Sequence, residues 1–88
     1  MNENNTITLQ VGGYTLRFTP TEALYNKLIN EMSMDNKVAP AKNYLMRCIH
    51  DDDKPALKTL IDLPGVALGM VSALNEEFLP DLDITVKK

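Results

Sequence analysis

The chain has 88 residues, 44% of them hydrophobic, with 9 basic against 12 acidic side chains, a net charge of −3 and one cysteine. That is the size of one small domain spanning 1–88, too apolar for a disordered segment, and a single cysteine excludes an internal disulfide. The cations are scattered among acids rather than gathered in the basic stripe a nucleic acid attracts, and no apolar run reaches the roughly 18–20 residues of a membrane span.

Residues 1–5, Met1-Asn2-Glu3-Asn4-Asn5, form a polar lead that is expected to be disordered. They lack the basic and apolar regions of a signal peptide, which together with one reduced thiol points to the cytoplasm. From about residue 6 to residue 18 the pattern is that of a β-hairpin. Ile7, Leu9 and Val11 alternate with polar residues, as do Tyr14, Leu16 and Phe18, and Gly12-Gly13 lies between the two runs. Glycine accepts the positive φ of the tight hairpin turns. A two-residue loop pairs Val11 with Tyr14, Leu9 with Leu16 and Ile7 with Phe18, which puts all six apolar residues on one face. No phosphate-binding motif follows the glycines.

The first helix is predicted over 20–33. Thr19 is placed as N-cap, with Pro20 and Glu22 completing a capping box. Ala23, Leu24, Leu28 and Met32 line its apolar face, which Tyr25 and Ile29 widen. Ser33 to Asn36 reads as a turn. A second helix is predicted over 40–50, with Pro40 in its first turn and Ala41, Tyr44, Leu45, Cys48 and Ile49 repeating at helical spacing. Asp51-Asp52-Asp53 ends that stripe. A third helix, over 53–62, starts from an Asp52 or Asp53 cap with Pro55 in its first turn, and buries Ala56, Leu57, Leu60 and Ile61. The fourth, over 64–78, is apolar nearly all round, and Gly69 and Ser72 leave room for close helix contact. Such a helix is covered by its own domain or by a partner. After Leu79-Pro80-Asp81, Leu82, Ile84 and Val86 alternate with Asp83, Thr85 and Lys87. The segment 80–88 is either a third strand on the hairpin or an extended tail, with the strand preferred because a lone hairpin is marginal. The whole reads as an α+β fold, mostly helical.

No stretch carries catalytic machinery, and no cofactor or metal is expected. His50-Asp51-Asp52-Asp53 is the one cluster of metal-ligand types, but consecutive residues diverge and no second histidine supports them. His50 suits a helix C-terminus and the aspartates the next N-terminus. Cys48 lies on an apolar face without a base beside it. Glu76-Glu77 has nothing to position a substrate between its carboxylates.

The run Asn36-Lys37-Val38-Ala39-Pro40-Ala41-Lys42-Asn43-Tyr44-Leu45 resembles the phage tail assembly chaperones, a family of small proteins of tailed bacteriophages and prophages. The resemblance extends over nearly the whole chain. It takes in the hairpin, Tyr25-Asn26-Lys27 with Ile29-Asn30-Glu31-Met32, and the closing Asp83-Ile84-Thr85-Val86-Lys87-Lys88. It implies a non-enzymatic protein of the host cytoplasm, absent from the mature virion. Such a protein binds the tape-measure protein, the tail-tube subunits or both, and keeps them soluble until the tube polymerises.

The alternatives are a minor structural or connector protein of the virion and a host-directed inhibitor that binds one protein. A homo-oligomer is compatible with each reading. The expected partner surface is the face of the fourth helix, at Met70, Val71 and Leu74, together with Tyr44 and Met46. Lys37, Lys42 and Arg47 are placed to meet acidic residues of a client.

Overall fold

The computed structural model describes residues 6–80 and 84–87; the polar lead 1–5 lies outside the described residues. An antiparallel hairpin, β1 (Ile7–Val11) and β2 (Tyr14–Phe18), is followed by α1 (Glu22–Glu31), α2 (Val38–Cys48), a 3-10 turn (Asp51–Asp53), α3 (Lys54–Leu60) and α4 (Val66–Phe78). This is the α+β, mostly helical architecture expected from the sequence.

The hairpin turns through Gly12 (φ 55°) and Gly13 (φ 88°), a left-handed pair that L side chains adopt at a cost. The register is the expected one, Ile7 opposite Phe18, Leu9 opposite Leu16 and Val11 opposite Tyr14. Burial, however, grades along the strands. Leu16 and Phe18 are fully buried, β1's apolar residues are half-buried, and Tyr14 is 41% exposed. Tyr14 sits at the turn end of the hairpin, so sharing a face with Leu16 does not bring it under cover.

The outer edge of β2 is closed by a segment the alternation did not mark. Phe18 and Ile49 form an antiparallel bridge, in which the Thr19 N–H donates to the Cys48 carbonyl at 2.9 Å and the His50 N–H to the Arg17 carbonyl at 2.9 Å. Three residues leaving α2 thus take the role assigned to a third strand. Residues 84–87 do not: the sheet among the described residues has two strands, and 84–87 lie outside any strand, while the rest of the expected strand, 81–83 and 88, lies outside the described residues.

The bridge also moves the start of α1. The Thr19 N–H pairs with the Cys48 carbonyl and its Oγ1 lies 2.7 Å from His50 Nε2, so Thr19 serves the bridge and not the helix. The N-cap is Thr21, whose Oγ1 accepts from the Leu24 N–H at 3.2 Å, and Pro20 is buried in the core. Leu28 is the buried residue of α1. Leu24, Tyr25 and Met32 pack at the edge of the core, while Ala23 and Ile29 face outward. Ser33 and Asn36 exchange backbone hydrogen bonds at 3.0 and 3.3 Å, closing the expected turn.

The central helix α2 begins two residues before Pro40. The proline still lies in the first turn, where its missing N–H breaks no helical bond. Its stripe of Ala41, Tyr44, Leu45, Cys48 and the following Ile49 is buried throughout, and α2 packs against both α1 and α4. In α4, Ala67, Met70, Val71 and Leu74 face the same core, and Phe78 meets the Tyr25 ring at 6.4 Å. One contiguous core results.

Candidate protein-binding surfaces

The residues expected to meet a partner divide sharply by burial. Tyr44 and Leu74 are fully buried, and Met70 and Val71 nearly so. These four pack into the core of the chain itself, and Met70 also lines a groove between β1 and α4. Periodicity marks a helix face as apolar without saying whether the same chain or another one covers it. Met46 is half-buried against the edge of the core. Lys37 and Arg47 are exposed.

Two of the three cations are answered within the chain. Lys42 Nζ lies 2.7 Å from Asp62 Oδ1, tying α2 to the turn after α3. Arg47 Nη1 lies 3.3 Å from Glu31 Oε1, and Lys27 adds a second cation 3.5 Å from that carboxylate. The Arg47 hydrogen bond is the largest influence holding Glu31 below the usual carboxylate range. Both pairs stand at the surface, where each adds little stability.

The acidic run behaves as a structural joint. Arg17 donates to Asp53 through its backbone N–H at 2.9 Å, Nε at 2.9 Å and Nη2 at 3.2 Å. The guanidinium hydrogen bond, then the backbone one, pulls the Asp53 pKa below its ordinary value. Asp53 does occupy the N-cap position of α3, but its carboxylate turns to Arg17 and makes no side-chain cap. His50 lies beyond the end of α2, its Nε2 2.7 Å from Thr19 Oγ1. Among the described residues no cluster of three or more histidine, cysteine or acidic side chains could hold a metal ion.

Burial pushes the Cys48 thiol up to about 11 and raises the Tyr44 hydroxyl pKa as well. A thiol so placed stays protonated at neutral pH and is a poor nucleophile. Tyr44 Oη lies beside it with no hydrogen-bond partner among the described residues. Asn75 Oδ1 on α4 is likewise buried without a partner among them.

The open surface is apolar at two places that sequence reasoning did not single out. Between β1 and α4 runs a groove of about 280 Å³, lined by Leu9, Val11, Val66, Gly69, Met70 and Ala73. A Cβ added at Gly69 would meet nothing within 4 Å. The glycine therefore opens the groove and does not serve the close helix contact expected of it. On another side, where α2 begins and α3 gives way to α4, Val38 (48% exposed), Leu63 (50%) and Leu68 surround a smaller hollow of about 170 Å³, with the Lys42–Asp62 pair at its rim. Val38 and Leu63 stand at element ends, where no periodicity marks a side chain as outward.

A hairpin backed by four helices, with these apolar openings, defines a small α+β protein. Comparison with known proteins takes it further, because residues 7–88 match the phage tail assembly chaperone family. The chain belongs to that family. It is also 35% identical over 86 residues to an uncharacterized 11.3 kDa protein, described as in the lys 3′ region, of Haemophilus phage HP1. That alignment covers 98% of this chain and 84% of the phage protein. No solved structure matches the chain. Tail assembly chaperones are generally non-enzymatic, and no helix among the described residues is long and apolar enough to cross a membrane.

Proposed function

We propose that this chain acts as a single-domain, non-enzymatic chaperone of phage tail assembly. In this reading it binds apolar segments of the tape-measure protein, and of tail-tube subunits, in the host cytoplasm. It keeps them from aggregating until the tube forms and stays out of the finished particle. The observation that carries this reading is family membership across residues 7–88. The chemistry is binding and release, which requires exposed apolar area and no reacting group. The patch at Val38, Leu63 and Leu68 supplies such area beside the exposed Lys37. Scattered single apolar residues need no explanation, whereas a group of them around one hollow is the usual form of an interaction site.

The test is co-expression of the chain with the tape-measure protein from the same genome, measuring how much of that protein stays in the supernatant and co-purifies. Leu63→Ser with Leu68→Ser is expected to keep the native circular dichroism spectrum and to lose co-purification. A tape-measure protein that precipitates equally with and without the chain would remove the chaperone reading. Recovery of the chain in purified particles by mass spectrometry would favour a virion component instead.

A further inference from the structure

We infer that the groove between β1 and α4 receives the C-terminal segment of a second copy of this chain, and that two copies exchange these segments reciprocally.

The groove runs along an open strand edge. β2 is paired on both sides, to β1 and to Ile49, whereas β1 has no partner beyond β2 among the described residues. Gln10 borders the groove, yet its side chain accepts a hydrogen bond from Thr15 Oγ1 at 3.1 Å across the hairpin. Gln10 thus stands on the groove side of β1 while its amide oxygen is engaged across the hairpin. An exposed edge beside an apolar channel selects one kind of ligand: an extended segment whose backbone continues the ladder and whose alternate side chains are apolar.

The chain carries such a segment. Leu82, Ile84 and Val86 alternate with Asp83, Thr85 and Lys87, the period of a strand with one apolar face. Ile84 is 88% exposed and Val86 83%, the least covered large apolar residues among the described ones apart from Met34. The way the segment leaves α4 directs it to another copy. The groove is lined by α4 residues from Val66 to Ala73, while the tail departs beyond Phe78, which is packed on Tyr25 of α1. At that point Leu79 is extended (ψ 139°), as the residue before a proline prefers. A return along α4 to its own groove needs a reversal there. Two copies that each give a tail and each receive one form a closed two-fold pair with no site left open.

Sedimentation of the full-length chain over a range of concentrations tests this without any tail protein, so its outcome is independent of the chaperone reading. The wild type is expected to sediment as a dimer at high concentration. Ile84→Asp with Val86→Asp, which alters only side chains already exposed, is expected to sediment as a monomer with an unchanged circular dichroism spectrum. Gly69→Leu, which builds into open space and fills the groove, is expected to do the same. A dimer that survives the tail variant overturns the proposal. So does a wild type that stays monomeric throughout; protected backbone amides at 84–87 in that monomer would show that the tail closes on its own groove.

Discussion

The centre of this molecule and its C-terminal end use the same kinds of residue to opposite effect. In α2, Tyr44, Leu45 and Cys48 are buried between α1 and α4, and Ile49 continues into a bridge with β2. In the C-terminal segment, Ile84 and Val86 are as apolar and as regularly spaced, yet stand in solvent. The difference lies in neighbours. α2 is flanked by α1 and α4, which supply matching apolar stripes, whereas the tail follows α4, after the outer edge of β2 has been taken by residues 48–50. Apolar patterning thus states what a segment needs, and chain order decides whether the need is met within the same copy.

The largest expected effect breaks this comparison at its centre. Leu45→Ala removes a fully buried side chain and is expected to cost roughly 2–5 kcal/mol, as large-to-small core changes do. That is a large share of the stability of so small a domain. Ile84→Ala, measured in the same urea denaturation series at low protein concentration, is expected to lie within about 0.5 kcal/mol of the wild type. Equal losses at the two positions would mean that the tail is already part of the folded core.

A second test sharpens how the sheet is joined to the helices. Asp53→Asn is expected to lower the melting temperature at pH 7, because it takes the charge from the carboxylate that accepts three hydrogen bonds from Arg17 of β2 in the turn before α3. The pH dependence has a definite sign. The Asp53 pKa is lowered in the folded chain, so its contribution is fully present above the ordinary aspartate value of about 3.9 and is lost as pH falls through the folded value. Melting curves of wild type and variant should therefore differ at neutral pH and converge in acid. A gap that persists once the pH has fallen below the folded value would assign the effect to something other than ionisation.

The smallest effect distinguishes the two threonines before α1. Thr21→Ala removes the observed cap and is expected to cost about 1 kcal/mol, with faster amide exchange at Leu24. Thr19→Ala is expected to leave that amide unchanged, since its hydroxyl meets His50 instead.

Much of the fold was legible in local pattern. Gly12-Gly13 between two alternating runs gave the hairpin and its register, and helical spacing gave the buried stripe of α2, both being properties of neighbouring residues alone. The candidate binding surface was far less legible. Met70, Val71 and Leu74 were placed on it because their helix is apolar nearly all round, and Tyr44 because it lies on the apolar stripe of α2, but burial within the same chain produces both patterns. The openings lie instead where elements end, at Val38 and Leu63, or where a side chain is missing, at Gly69.

What the sequence determined by itself, then, is the set of elements and the apolar face of each, because turn chemistry and periodicity act over a few residues. Tertiary structure alone decided which edge of the hairpin is closed, and by Ile49 in place of the tail. It also decided that Thr21 caps α1 in place of Thr19, and that Asp53 serves Arg17 rather than α3. Each of these outcomes depends on groups up to 36 residues apart meeting in space, and no local preference encodes such a meeting.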